Sequence, residues 1–277
     1  MSFKFMTWNV EQFQGGSKQR LEEVDAHIGV EDPDVFGIIE FRAKDAARHI
    51  VTNYYHEYDF GMTDSKMGLD FLIGWRRGKF KQVIYTQRRE FQAGNINLRP
   101  GGLLSFQENG MTAFTNMLFL HTDSGRGVKD YKARQKMFEK VFSLKHALEG
   151  LKIQDGNARL IVLGDLNTMG RAKTATLPTV PAKDEIDNLE QDAAAAGMRI
   201  LSKSHEKTWS NNSGSKKSDL DHVIASDELN FSQYFFVNDP ANIFEIEVYG
   251  WNNLTGNERK SWIENISDHC ALVGECI

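Results

Sequence analysis

Cysteine, proline and long apolar runs are scarce in this 277-residue chain, and each scarcity closes off a class of protein. The two cysteines, Cys270 and Cys276, provide neither a disulfide framework nor a cysteine-rich zinc site. If both lie on one terminal strand, their separation at about 3.3 Å per residue is roughly 20 Å, too far to pair, so buried thiols are expected. Five prolines and no Ser/Gly-rich tract leave no obvious linker, and no internal repeat or low-complexity block is present. One domain spanning 1–277 is therefore expected. No run approaches the ~20 apolar residues of a membrane-crossing helix. The N-terminus passes straight into Phe3-Lys4-Phe5-Met6, without a basic segment and a long apolar stretch, so a cytoplasmic location is expected; a signal peptide already removed would leave no trace. Neither a membrane nor an obligate protein partner is expected.

A surplus of positive charge is missing as well. The net charge is -5 and the pI near 5.9, which argues against a broadly basic surface that coats nucleic acid. An enzyme that binds phosphates through a divalent cation concentrates carboxylates at its site and can still be acidic overall. The local basic runs Arg76-Arg77-Gly78-Lys79, Gln87-Arg88-Arg89, Lys216-Lys217 and Arg259-Lys260 read mainly as solvated loop charges.

Present instead are 40% hydrophobic and 26% charged residues, enough to bury a substantial core. Strand-like runs recur at 3–8, 35–39, 71–75, 80–85, 103–106, 111–120, 160–163, 222–225, 244–248 and 270–273. Several are continuously apolar, as in strands covered on both faces. Helical spacing occurs in four places: Leu21, Val24 and Ile28; Ala46, Ile50 and Tyr54; Tyr131 through Arg134, Phe138, Val141, Lys145 and Leu148; and Ile186, Leu189 and Ala193, closed by Gly197. So few helices among so many strands predict two packed sheets flanked by helices rather than a doubly wound parallel sheet. Residues 169–182, 202–217 and 249–265 read as long loops. In the last of these, Trp251 and Trp262 either stack on a base or sugar or anchor the loop on the core.

Five distant segments set a polar side chain at the end of an apolar run: Thr7-Trp8-Asn9, Ile38-Ile39-Glu40, Leu120-His121-Thr122, Gly164-Asp165-Leu166-Asn167 and Ser267-Asp268-His269. Such tips present chemistry at the rim of a sandwich, so one convergent site is expected. Asp165 and Asn167 point the same way in an extended segment, projecting a carboxylate and an amide together; the plainer reading is an Asx turn that ends the strand. At the start of a strand both Asp268 and His269 can reach the rim, one as metal ligand and the other as base. Asp221, in Ser218-Asp219-Leu220-Asp221-His222, is placed to hold the tautomer of His269, with Asp219 and His222 as support.

Taken in order with Thr7-Trp8-Asn9-Val10, Asp34 to Glu40, Phe119 to Thr122 and Asp221 to Ser226, these motifs resemble the set of the endonuclease/exonuclease/phosphatase superfamily, which includes deoxyribonuclease I, abasic-site endonucleases, sphingomyelinases and inositol phosphatases. The match runs from residue 7 to residue 269. It implies a deoxyribonuclease I-like α/β fold, a four-layered α/β-sandwich of two packed mixed sheets flanked by helices. By the same resemblance Glu40 is the chief metal ligand, with Asn9 and Asp268 completing the metal neighbourhood. Asp165 and Asn167 position the nucleophile and the scissile phosphate, His269 is the catalytic histidine, Asp221 orients it, and His121 is a donor to the phosphate or leaving group. Two departures stand out. Ile39 precedes Glu40 where the family often has Gln, and His121 lacks the acidic partner of deoxyribonuclease I, since Asp70 is out of register. Arg99 resembles the arginine at the start of a family strand, in a structural role.

The implied cofactor is magnesium, with manganese as the alternative ion, because one or two carboxylates and an amide suit a hard cation. The expected function is a divalent-metal-dependent phosphodiesterase acting on nucleic acid, a DNA endonuclease or exonuclease. The alternative on the same scaffold is a phosphatase or sphingomyelinase-like hydrolase of small or lipid phosphate esters. A catalytically dead binding module is a third reading, and the intact Glu40, Asp165, Asn167, Asp221 and His269 speak against it.

Overall fold

Continuously apolar strands need cover on both faces, and the alternation of their side chains shows how this chain supplies it. A computed structural model describes residues 2–13, 18–42, 44–154, 157–236 and 239–277. From the N-terminus come β1 (Phe3–Phe13), α1 (Lys18–Glu31), β2 (Val35–Phe41), α2 (Lys44–Tyr54), β3 (Tyr58–Met62), β4 (Asp70–Arg76), β5 (Gln82–Arg88), β6 (Gly101–Gln107) and β7 (Phe114–Phe119). Next are α3 (Val128–Glu149), β8 (Arg159–Asp165), α4 (Ala182–Ala195), β9 (Met198–Ile200), β10 (Trp209–Ser210), β11 (Lys217–Ser218) and β12 (Asp221–Ser226). The chain closes with β13 (Tyr234–Phe236), β14 (Asp239–Phe244), β15 (Ile246–Tyr249), α5 (Gly256–Asn265) and β16 (Ala271–Cys276).

Two six-stranded sheets form, in the orders β15-β16-β1-β2-β4-β3 and β5-β6-β7-β8-β12-β9. Both are mixed: β1 with β2 and β7 with β8 are parallel pairs, and the other pairings within the sheets are antiparallel. Along β1, Phe3 and Phe5 face the second sheet, while Met6, Trp8 and Val10 face α1 and α2. Along β8, Ile161 and Leu163 join the layer between the sheets, while Leu160 and Val162 pack under α3 and α4. Helices, sheet, sheet, helices is the four-layered sandwich expected. The sheets meet closely: a Cβ added to Gly37 would lie 2.3 Å from the Phe119 ring, so no larger residue fits there without moving a core phenylalanine.

The helix α3 buries Arg134, Phe138, Val141, Lys145 and Leu148 on one side, the stripe that its spacing predicts. Its first turn is held by the Asp130 carboxylate, which accepts from Gly127 N–H at 2.9 Å and suits the positive helix end. Gly197 follows α4 with φ 65°, as expected of a closing glycine.

Several expectations require correction. Residues 249–265 are not one loop: they hold a 3-10 turn at Trp251–Asn253 and the fifth helix, α5. Only Ile263 is fully buried on α5, so its apolar periodicity is nearly absent. Trp251 is fully buried and Trp262 stacks on Trp8 with ring centroids 6.1 Å apart, which makes both core anchors and removes the base-stacking reading. The short edge strand β3 has no expectation of its own, and β5 and β7 begin later than their apolar runs. Cys270 and Cys276 are buried free thiols, as expected.

Candidate active site

The strands whose tips carry polar residues are central ones, β16-β1-β2 of the first sheet and β7-β8-β12 of the second, so face-to-face packing brings their ends together. Gly164 makes the last step of β8 feasible. Its φ is 133°, and a Cβ there would lie 2.3 Å from the Leu120 carbonyl oxygen. Asn167 follows at φ 47° and Glu40 stands at φ 61°, backbone settings that cost a non-glycine residue about 1 kcal/mol or more and collect at functional sites.

All eight residues singled out in the sequence meet here, and seven of them line a single cavity of about 490 Å³. Asp221 stands behind the wall. Its Oδ2 lies 2.8 Å from His269 Nδ1, which fixes the ring so that Nε2 faces the cavity and lies 3.8 Å from Asp165 Oδ2. That same Asp165 oxygen accepts from Asn9 Nδ2 at 3.0 Å and lies 3.3 Å from His121 Nε2. The other Asp165 oxygen accepts from Asn167 N–H at 3.0 Å, and the Asn167 side-chain amide donates to the Thr122 carbonyl at 3.3 Å. The Asx turn considered for this segment is thus present, and it serves to aim the two side chains.

Burial, reinforced by Asp221 and Glu40 and opposed by His269, pushes the Asp165 carboxyl up to about 7. For His269 burial works against the charged ring, but Asp221, Asp165 and Asp268 outweigh it and raise the imidazole to about 10. His121 is held well below its ordinary value by burial, with Arg99 and His269 adding to the effect. Asp268 is raised by burial, with Glu40 and Asp221 adding. Glu11, a residue that sequence reasoning missed, is raised by burial, by Asp268 and by Glu40. The floor of the cavity is therefore crowded with mutually repelling carboxylates.

That crowding bears on which residues could hold a cation. Asp165, Asp221 and His269 offer ligand atoms within 4.8 Å of one another. However, Asp221 and His269 spend their facing atoms on each other, which leaves little for a metal. Asp268 Oδ1 is buried with no hydrogen-bond partner among the described residues, while Oδ2 accepts from Trp209 Nε1 at 2.6 Å. Glu40 Oε2 accepts from Gln12 N–H at 2.9 Å, and among the described residues its Oε1 has Arg99 Nη2 at 3.4 Å and His121 Nε2 at 3.7 Å. A hard divalent cation takes carboxylate oxygen; Asp268 Oδ1, which is unsatisfied, and Glu40 Oε1, held by one long contact, fit such an ion. Asn9 is in the same neighbourhood, but its Oδ1 accepts from Glu11 N–H at 3.1 Å and its amide nitrogen is committed to Asp165.

A family model described as endonuclease/exonuclease/phosphatase matches residues 6–269. The chain belongs to the endonuclease/exonuclease/phosphatase family. Enzymes of this family hydrolyse phosphoester bonds with the help of a divalent metal, and membership makes this chain a phosphoester hydrolase. Among solved structures it is similar to a truncated TDP2 of Caenorhabditis elegans, with 16% identity, a TM-score of 0.66, and 100% of this chain and 98% of that chain covered. It is also similar to a D. rerio TDP2 complexed with single-strand DNA product, with 15% identity, a TM-score of 0.65, and 100% and 99% covered. A mannosyl-6-phosphatase of Bacteroides thetaiotaomicron gives 15% identity and a TM-score of 0.62, with 99% of each chain covered. These likenesses describe the fold. No curated protein matches the chain significantly by sequence.

Besides Glu11, the site of this family member contains residues that no motif marked. Ser124, Arg126, Trp209 and Lys216 line the cavity, and Arg99 touches Glu40 rather than serving only the strand. The Lys216-Lys217 run held the one available signal. Arg76, by contrast, ends β4 half-buried and pairs with Asp34 and Glu57, which departs from the solvated loop charge expected, while the exposed Arg77 pairs with Asp59. No helix is long and apolar enough to cross a membrane among the described residues.

Proposed function

We propose that residues 1–277 form one domain that works as a divalent-metal-dependent phosphodiesterase on nucleic acid, with DNA as the preferred substrate. The observation that carries the reading is a histidine oriented by a buried carboxylate, His269 with Asp221 at 2.8 Å, beside the Asp268 carboxylate, whose Oδ1 has no hydrogen-bond partner among the described residues. In this reading Glu40 and Asp268 hold the ion, with Asn9 beside them, and magnesium suits the oxygen donors. The bound ion would neutralise charge on a non-bridging phosphate oxygen.

The chain's own groups do the rest. Asp165, hydrogen-bonded by Asn9 and by Asn167 N–H, orients the attacking water from one side. Asn167 is set by its left-handed backbone to donate to a phosphate oxygen. His269 exchanges a proton at Nε2, and Asp221 stabilises the imidazolium without itself being protonated. His121 is held neutral by burial and donates to the phosphate or leaving group from Nε2. Arg126 and Lys216 at the rim offer positive charge to neighbouring phosphates of a strand, which favours nucleic acid over a lone phosphate monoester. The single-strand DNA product held by the D. rerio TDP2 of similar fold supports the same substrate.

The test is incubation of supercoiled plasmid and of a single-stranded oligonucleotide with magnesium, with and without chelator, beside the His269→Ala variant. Cleavage that needs both the ion and His269 is the expected result. Intact nucleic acid together with phosphate release from a small monoester would replace this reading with that of a phosphatase.

A further inference from the structure

Directly behind the site lies a buried polar chain that the proposed reaction does not use. Lys203, with 7% of its side chain exposed, contacts the Asp219 carboxylate, donates to the Asp221 carbonyl at 2.8 Å, and has His222 Nδ1 at 3.4 Å. On the other side of that ring, His222 Nε2 lies 2.8 Å from Thr168 Oγ1. Thr168 is fully buried, and its hydroxyl donates to the Asp219 carbonyl at 2.7 Å.

The proton count fixes the direction of the chain. A threonine hydroxyl has one hydrogen and two lone pairs. With its hydrogen given to Asp219, it can only accept from His222. His222 Nε2 therefore carries the ring proton, and Nδ1 offers a lone pair to the Lys203 ammonium. A doubly protonated ring would turn an N–H against that ammonium. All three Lys203 donors are thereby engaged.

Both ends of this chain attach to site residues. Thr168 follows Asn167, whose φ of 47° needs its surroundings to hold it, and Lys203 grips the carbonyl of Asp221, whose carboxylate orients His269. Resting on the phosphodiesterase reading above, we propose that Lys203, His222 and Thr168 are positioning residues that lock the Asn167 turn to the Asp221 strand, so that the phosphate donor and the oriented histidine keep their spacing.

The experiment compares Thr168→Val, Thr168→Ser and His222→Gln with wild type, using oligonucleotide hydrolysis with magnesium, thermal midpoint and imidazole ¹⁵N shifts. Valine keeps the shape and removes the hydroxyl; serine restores it; glutamine places an amide N–H near the position of Nε2. We expect Thr168→Val to lower kcat by about 10²-fold, the scale of a displacement of about 1 Å at a reacting group, with KM nearly unchanged. Thr168→Ser and His222→Gln recover most of the rate, and wild-type His222 shows a protonated Nε2 beside an unprotonated Nδ1. The proposal is overturned if Thr168→Val turns over like wild type, if serine is as impaired as valine, or if His222 is protonated at Nδ1. A wild-type protein that hydrolyses no phosphodiester while His222 shows the expected tautomer would instead overturn the functional reading, and the catalytic role of the chain with it.

Discussion

Two buried charged clusters in this molecule look alike in composition and differ in one respect. Arg134 and Glu185, both fully buried, form a closed set. Arg134 Nε and Nη2 reach the two Glu185 oxygens at 2.9 and 3.0 Å, and the remaining guanidinium hydrogens go to the carbonyls of Asp123, Gly125 and Gly170. All five donors are used. The cavity cluster is open by comparison: Asp268 Oδ1 and His121 Nδ1 are buried without partners among the described residues, and Glu11, Asp165 and Asp268 are all pushed toward the neutral form. A buried polar group without a partner costs about 1–3 kcal/mol, so two such atoms in one cluster point to a group supplied from outside the chain. Charge and burial alone do not separate a structural ion pair from a reaction centre; satisfaction of the donors and acceptors does.

The sharpest way to break the comparison is at the open cluster. Replacing His269 or Asp165 with Ala should lower kcat/KM for an oligonucleotide by about 10²- to 10⁴-fold while the thermal midpoint stays close to wild type. The double variant should lose far less than the product of the two, because the groups act as a unit. At the closed cluster the pattern should invert. Arg134→Ala leaves Glu185 buried and uncompensated, which should cost about 3–5 kcal/mol in urea unfolding. Because Arg134 and Glu185 tie the segments at 123–125 and at Gly170 to α3 and α4, any activity loss should track the unfolded fraction.

A third outcome concerns the chain at His222, which is closed like the Arg134 pair. Burial, with Lys203 adding, lowers its imidazole to about 4, against the opposing charges of Asp219 and Asp221. A histidine whose folded value lies below its unfolded 6.5 takes up its proton first in the unfolded chain. The stability it contributes is present above pH 6.5 and is lost as the pH falls toward 4. The loss is on the order of 3 kcal/mol from this group. Urea midpoints measured across that window should fall for wild type and fall less for His222→Gln.

Smaller still is the response to metal. An ion that binds only the folded chain at about 100 times its Kd adds roughly 2.7 kcal/mol, so magnesium should raise the thermal midpoint of wild type. It should not do so for the Glu40→Gln/Asp268→Asn double variant, and Arg134 variants should respond as wild type does. The least effect is expected at Trp209, whose indole N–H holds one Asp268 oxygen. Trp209→Phe should weaken manganese binding by about 10-fold in a calorimetric titration, with little change in the midpoint of the metal-free protein.

Much of this architecture is legible in the sequence where one residue reports on its own surroundings. Ile161-Val162-Leu163 reads as a strand covered on both faces because its alternate side chains do enter two different layers, and Asp165, Asn167 and His269 are legible because they end such runs. What depends on distant partners is not legible. Arg134 stands on the stripe that helical spacing marks, but no motif marks its partner Glu185, 51 positions away. Trp209 finds Asp268 across 59 positions, from a stretch that reads as a polar loop. The helix α5 is hidden because a nearly all-polar helix carries no period, and β3 because a five-residue edge strand with a glycine near its end carries too few alternations.

The most direct measurement is anomalous diffraction from a crystal soaked in manganese. A peak is expected beside the carboxylates of Glu40 and Asp268, within ligand distance of Glu40 Oε1 and of Asp268 Oδ1, which has no partner among the described residues. A peak seated instead among Asp165, Asp221 and His269, or no peak in the cavity at all, would contradict that placement.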